Sequence, residues 1–241
     1  MSPVVIGLIG IAVLVLLFFS RMPVAYCMAL VGYVGFSIVS SPQGGLNLLA
    51  REMYDTFSSY GLTVIPLFIL MGQLAFNAGI SRRLYDSAYK FVGATSGGLA
   101  MATVCACTAF GAVCGSSPAT AATMATVSLP EMKRYGYGDR LSSGSVAAGG
   151  SLGMLMPPSV VMIVYGILTE QSIGQLFIAG IMPAVFITIC FIVAVLTYVW
   201  MVPGEGPAGE RFTWAERLVS LWGMGETMSV FILVMGGLYM G

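Results

Sequence analysis

The sequence predicts an all-α polytopic membrane protein, on three observations. Its 241 residues are 58 % hydrophobic and only 8 % charged, where a soluble domain carries roughly 25 % charged residues. Its ten basic and ten acidic residues are bunched, leaving charge-free windows at 1–20, 22–50, 56–81, 91–130, 141–169, 171–204 and 227–241. A bilayer core takes about 20 apolar helical residues, so most windows hold one span. The apolar runs lack the two-residue alternation of a membrane barrel, and backbone groups in lipid must be satisfied within their own segment, so the spans are helices.

Composition also excludes function classes. A net charge of zero offers no basic surface for nucleic acid. The absence of histidine removes His-based zinc and haem sites, Ser-His hydrolysis and histidine proton relays. Cys27, Cys105, Cys107, Cys114 and Cys190 are an odd set inside apolar windows, so they read as packing residues and not as a disulfide framework or metal site.

The elements follow in order. Met1 to Ser20 has no basic n-region, and its first charge, Arg21, comes after the apolar stretch. That is the wrong polarity for a signal peptide, and it reads as span one, about 3–20, beginning outside. Span two is about 22–39, after which Pro42, Gly44 and Gly45 are expected to break the chain. Leu46, Leu49, Met53 and Phe57 then share one helical face, an amphipathic helix on the outer surface. Residues 1–60 thus form a scaffold segment. The next region, 61–202, opens with span three, about 61–80, which returns to a cytoplasmic loop at 82–90. A window at 91–130 leads to a second basic loop, and broken span four (142–167) and span five (174–200) follow. On this topology nine of the ten basic residues are cytoplasmic and only Arg51 is outside, as the positive-inside rule requires.

Basic clusters flank the window 91–130 on the same side, so it crosses twice or not at all. Between Gly93 and Thr126, 27 of 34 residues are Gly, Ala, Ser, Thr or Cys, small side chains that let backbones approach closely. Its centre, Gly111 to Thr120, concentrates helix breakers. Two legs of about 15 residues reach only about 22 Å, which favours a re-entrant hairpin over 93–128. Two short, tightly packed spans joined by an external turn are the alternative.

Span four is interrupted by Gly149-Gly-Ser-Leu-Gly-Met-Leu-Met-Pro-Pro-Ser159. Clustered Gly and a Pro-Pro pair do not sustain helical hydrogen bonds. A simple proline kink is one reading. The other is unwound backbone at mid-membrane depth, tolerated where it is buried in protein or lines a wet cavity, as at transporter binding sites. Neither 91–130 nor 141–169 holds an ionisable Asp, Glu, Lys or Arg, so no carboxylate relay is available. What remains is hydroxyl oxygens (Ser116, Ser117, Thr120, Ser151, Ser159), freed carbonyls and half-helix ends. Such oxygens suit a hard alkali cation and helix N-termini suit an anion, which favours sodium coupled to an anionic organic solute.

At these residues the sequence resembles a known family. Phe110-Gly-Ala-Val-Cys-Gly-Ser-Ser-Pro-Ala-Thr-Ala-Ala-Thr123, Leu129-Pro-Glu-Met-Lys-Arg-Tyr-Gly-Tyr137 and Ala148-Gly-Gly-Ser-Leu-Gly-Met-Leu-Met-Pro-Pro-Ser159 are similar to the large membrane subunit of tripartite ATP-independent periplasmic (TRAP) transporters, over essentially the whole chain. Arg21-Met-Pro23 also fits. The resemblance implies an elevator-type, sodium-driven transporter of the bacterial inner membrane. It implies a small membrane subunit and a periplasmic solute-binding protein as partners, with a small carboxylate-bearing substrate. It implies a sodium site from Gly115, Ser116, Ser117, Thr120, Gly149, Gly153 and Pro157, and substrate contacts from Ser117, Thr120, Pro158 and Ser159. No cofactor is implied beyond sodium as coupling ion.

The family's large subunit is nearly twice as long, built from two inverted repeats, so the chain corresponds to the first repeat. Residues 203–223 then form a cytoplasmic interfacial linker, in which Thr213-Trp-Ala-Glu216 fits a capping box and Trp214, Leu218, Leu221 and Trp222 suit the interface. Residues 224–241 would start the second repeat. The small-residue surface of Gly93 to Thr126 with Gly149 to Ser159 is expected to stand open toward that second half. Three rivals differ in class. A membrane serine protease lacks a general base, with no histidine and no lysine nearer than Lys90 and Lys133. A channel and a non-transporting assembly subunit remain, separable by single-channel conductance and by sodium-independent partner binding.

Overall fold

The computed structural model describes residues 2–222 and 224–240, and among them every regular element is helical. The chain divides into two compact units, one up to Thr63 and one from Val64 onward.

The first unit holds α1 (Pro3–Phe18), α2 (Val24–Val39), α3 (Pro42–Ser58) and a 3-10 turn, Tyr60–Thr63. α1 packs on α2 and α2 on α3. Pro42, Gly44 and Gly45 do not break the chain as expected. Pro42 takes the first helical position, where its missing N–H costs nothing, and the Ser41 hydroxyl accepts from Gly44 N at 3.0 Å as the N-cap. Gly45 is buried against the Tyr33 ring, 3.2 Å from where its Cβ would lie, so here glycine serves close helix packing. The apolar face of α3 is uncovered within the chain: Leu46, Met53 and Phe57 are all exposed, and Arg51 pairs with Asp55 at 3.6 Å.

The second unit is built around one helix. In order it contains α4 (Val64–Asn77), α5 (Ile80–Val92), α6 (Gly98–Cys114), α7 (Ser117–Arg134), α8 (Asp139–Ser151), a 3-10 turn at Leu152–Met154, α9 (Val160–Leu168), α10 (Ile173–Met201), α11 (Trp214–Trp222) and α12 (Gly225–Met240). Fifteen of the 17 residues of α6 are buried, because α4, α5, α7, α8 and α10 all pack on it. A helix enclosed on every side has no room for bulky side chains, which is the physical reason for its run of Gly, Ala, Thr and Cys. Two expectations are corrected here. Residues 82–90 are not a loop but most of α5, whose Ile80, Leu84 and Tyr85 are buried in the same apolar cluster as Phe110 of α6. The small-residue surface is also mostly covered within the unit, leaving an exposed stripe on α7 at Pro118, Ala122, Thr126 and Pro130.

α10 alone has the length and apolarity to cross a bilayer among the described residues, with up to three spans if bent neighbouring pairs are each counted as one. α1, α2 and α6 are apolar but shorter. Phe186, Ile189, Val193, Leu196 and Trp200 of α10 are exposed, a face that suits lipid and not water.

Beyond α10, residues 203–213 are not a slack linker. Gly97 N donates to Gly206 O (2.9 Å), Gly138 N to Glu205 O (2.9 Å) and Gly209 N to Gly93 O (2.8 Å), so this strap ties both ends of the α6–α7 hairpin. The capping box at α11 is formed: Thr213 N donates to Glu216 Oε2 at 2.7 Å, and Thr213 Oγ1 accepts from Glu216 N at 3.4 Å. Trp214, Leu218 and Trp222 are exposed, and the Arg217 guanidinium lies 5.0 Å from the Trp214 ring centre.

Candidate functional site

α6 and α7 form the expected helical hairpin, turning at Gly115 and Ser116. Gly115 sits in the left-handed region (φ 61) and caps α6, its N–H donating to Gly111 O at 2.8 Å. A Cβ there would lie 2.7 Å from Pro158 O, so glycine is demanded by both conformation and contact. The second break also exists. α8 ends at Ser151, and only a 3-10 turn and irregular backbone connect it to α9, whose N-cap is the buried Ser159.

The two breaks meet. Val160 N donates to Gly115 O at 3.3 Å, and Ser117 Oγ donates to Ser151 O at 3.0 Å. A Cβ on Gly153 would lie 2.5 Å from Thr120 Oγ1 and 2.9 Å from Ser116 O. Thr120 is fully buried, with its hydroxyl 2.8 Å from the Cys114 thiol. Ser159 Oγ donates to Met154 O and accepts from Met162 N at 3.4 Å. The Ser116 hydroxyl, half-buried, has no hydrogen-bond partner among the described residues. Pro157 and Pro158 are both buried, and it is the Pro158 carbonyl that lies against the tip at Gly115.

Of the predicted site residues, Pro157 is buried beside Pro158 in the chain without a contact to the tip of its own, whereas Gly115, Ser116, Ser117, Thr120, Gly153, Pro158 and Ser159 are thus brought together. Gly149 is not. It remains helical within α8, and its Cβ would lie 2.9 Å from Cys107 Sγ, about two turns of α6 away from the tip. Its missing side chain lets α8 close on α6, as that of Gly150 lets α8 close on Ala121 of α7. Three contributors escaped the sequence reading. Cys114 adds its thiol to Thr120, Gly72 of α4 reaches the tip at Cys114 (a Cβ 2.9 Å from Cys114 Cβ), and Gly111 faces Gly153. The four-residue spacing of Gly111 and Gly115 was the available signal.

Chemically, two helix C-termini (α6, α8) and two helix N-termini (α7, α9) converge on a small oxygen-lined place to which, among the described residues, no carboxylate or basic side chain contributes. Partial negative charge from the first pair and partial positive charge from the second are the local field. Such ends attract a cation and an anion respectively.

Comparison with known proteins places the chain in a family. The family described as tripartite ATP-independent periplasmic transporter, DctM component, matches residues 11–241. Over 197 residues the chain is 40 % identical to the C4-dicarboxylate TRAP transporter large permease protein DctM of Pseudomonas aeruginosa, covering 80 % of this chain and 45 % of that protein. It is 33 % identical over 237 residues to the ectoine TRAP transporter large permease protein TeaC of Halomonas elongata, covering 97 % of this chain and 54 % of that one. A sialic acid TRAP permease of Vibrio cholerae is 29 % identical over 93 % of this chain. The chain spans about half the length of these relatives. They are permease subunits and not enzymes, and the chain belongs to the DctM component family of tripartite ATP-independent periplasmic transporters.

Proposed function

We propose that the chain is the first inverted repeat of an elevator-type permease subunit that takes up a small carboxylate-bearing solute with sodium across the inner membrane. The observation that carries this is the meeting of two helix breaks at a charge-free, oxygen-rich point: Gly115, Ser116, Ser117 and Thr120 against Ser151, Gly153 and Ser159. Sodium is a hard cation that takes hydroxyl and carbonyl oxygens, and the C-terminal ends of α6 and α8 favour it there. The carboxylate of the substrate belongs at the opposite pole, the N-termini of α7 and α9, where Ser117 and Ser159 stand.

The hairpin is read as re-entrant from the cytoplasm, and the strap at 203–213 as the device that keeps its base rigid. A small membrane subunit and a periplasmic solute-binding protein complete the system, the latter carrying much of the choice of substrate. The relatives named for C4-dicarboxylate, ectoine and sialic acid span several solute chemistries, and dicarboxylate is the first to test. The experiment is uptake of labelled succinate by cells expressing the chain with the remaining half of a relative, the small subunit and the binding protein. Accumulation that follows external sodium, and collapses when the sodium gradient is discharged, is expected. Uptake indifferent to sodium sinks the coupling assignment.

A further inference from the structure

A groove of about 190 Å³ runs between α8 and α10, with Val104 of α6 as its floor. One wall is Leu141, Gly144 and Ala148 of α8 and the other is Phe191, Ala194 and Tyr198 of α10. Neither break of the candidate site contributes a residue to it. Gly144 and Ala194 are exposed, so the groove opens outward along the helix that is long enough to span a bilayer.

Its two ends differ. From Phe191 to about Val195 the walls are hydrocarbon apart from Ser145 of α8, whose hydroxyl is already donated to Ser142 O at 2.9 Å. At the end nearer Met201, where α10 gives way to the strap, stand Arg140 and Tyr198. Arg140 is exposed and makes no ion pair or hydrogen bond among the described residues. Tyr198 donates its hydroxyl to Glu205 Oε2 at 2.7 Å, which fixes a carboxylate beside the same end. Asp139 is the neighbouring acidic residue on α8. An apolar slot with a cation and a carboxylate at the membrane–cytoplasm boundary has the polarity of a phospholipid.

Size decides against a helix as occupant. The slot from Phe191 to Tyr198 is about 10 Å long, and a helix about 10–12 Å in diameter does not fit 190 Å³. An acyl chain does. The charge pair narrows the headgroup. A purely anionic lipid would meet Arg140 but also the Glu205 carboxylate, whereas phosphoethanolamine offers a phosphate to the first and a hydrogen-bonding ammonium to the second.

We propose that this groove is a phospholipid site, with one acyl chain of a phosphatidylethanolamine between α8 and α10 and its headgroup on Arg140 and Glu205. The lipid holds α10 against the α8 segment that leads into the second helix break. The site is independent of the sodium and substrate reading above.

The test uses the full chain in nanodiscs containing phosphatidylethanolamine with a diazirine on its acyl chain, followed by peptide mapping. Labelling is expected to concentrate in 141–148 and 191–198. Gly144→Trp and Ala194→Trp, each filling the slot from a different wall, should abolish that labelling. The first is free to enter, since nothing lies within 4 Å of a Cβ at Gly144. Arg140→Gln should reduce it about fivefold, the weight of one cation near a phosphate. Thermal midpoints in detergent identify which tryptophan variant is folded, and either one suffices. Labelling as strong at Phe186 and Trp200 and unmoved by tryptophan overturns the site. Equal labelling by a phosphatidylglycerol probe overturns the headgroup assignment.

Discussion

Gly111 and Gly153 touch backbone to backbone: a Cβ on Gly111 would lie 2.7 Å from the Gly153 Cα. One glycine is on α6, a turn before the hairpin tip, and the other is in the 3-10 turn that breaks the α8–α9 span. Their approach sets the distance between the two breaks, and through it the geometry of every oxygen at the site.

Gly111→Ala should therefore separate the breaks. The obstacle is backbone and not the end of a flexible side chain, so relaxation is expensive, and overpacking of this kind costs about 1–3 kcal/mol. The expected result is a lower thermal midpoint in detergent with helix content retained. Gly136→Ala is an unsuitable control because of its positive φ; Gly144→Ala, inside α8 and in open space, should not lower the midpoint and should raise it slightly. An unchanged midpoint in Gly111→Ala would mean the contact is not tight.

The hydroxyls at the tip are not equivalent, and that ranks their substitutions. Thr120 is engaged with Cys114 and Ser117 with Ser151 O, while Ser116 is uncommitted. In the assembled transporter Ser116→Ala should raise the sodium needed for half-maximal uptake by about tenfold, within the cost of one lost polar partner. Protein abundance should not change. Sodium activation unaltered in Ser116→Ala and Thr120→Val alike rejects this placement of the ion.

Which parts of this were legible in advance follows from what each signal measures. Apolar windows and breaker clusters mark helices and their interruptions, so α1, α2, the α6–α7 hairpin and the break before α9 were readable. Charged residues mislead where a helix has one wet face. Arg82, Arg83, Asp86 and Lys90 made 82–90 look like loop, although Leu84 and Tyr85 lie four and five residues after Ile80, with all three on the buried side of α5. Gly44, Gly45, Gly149 and Gly150 look like breakers in sequence but are helical, because glycine equally serves close approach of two helices. Nothing in composition distinguishes the two uses, so the helical place of Gly149 against α6 cannot be read from the sequence. Pairings across the fold, such as Gly72 with Cys114 or Gly97 with Gly206, leave no local trace at all.

The topology makes a labelling prediction. Lys133 and Gln171 are both exposed in the structure, and the basic asymmetry puts the first in the cytoplasm and the second outside. In a Cys-free background, Gln171→Cys should react with an impermeant maleimide in intact cells, and Lys133→Cys only after permeabilisation. The reverse pattern inverts the whole assignment. Ser81, at the start of α5, is buried and would report nothing.

The capping box of α11 predicts a pH response. Its hydrogen bonds from Thr213 N and then Thr213 Oγ1 hold the Glu216 carboxyl below the ordinary glutamate range. A lowered value in the folded state means the cap contributes fully above the unfolded-state value and is lost as pH falls through the folded one. Amide exchange in 214–222 should therefore be protected near neutrality and lose protection in acid, after correction for the intrinsic exchange rate. Glu216→Gln should flatten that dependence. Protection that rises on acidification would contradict the sign.

The last prediction is that the chain by itself accumulates no substrate. One hairpin tip and one broken helix supply two cation-attracting and two anion-attracting helix ends, whereas transporters of inverted-repeat design enclose their solute between two such sets. The exposed stripe on α7, at Pro118, Ala122, Thr126 and Pro130, has the small side chains of a helix-packing surface and little that lipid solvates well. It begins beside the tip, which is where a second hairpin would have to meet the first. Two copies of this chain share one orientation in the membrane, so a homodimer would place like ends together instead of inverted ones. In liposomes with an inward sodium gradient and the binding protein present, uptake of labelled dicarboxylate should stay at the level of empty vesicles. Adding the remaining half of a relative should restore it, and Ala122→Trp should block that restoration. Sodium-driven accumulation by the chain alone would show that it encloses a complete site without a second half.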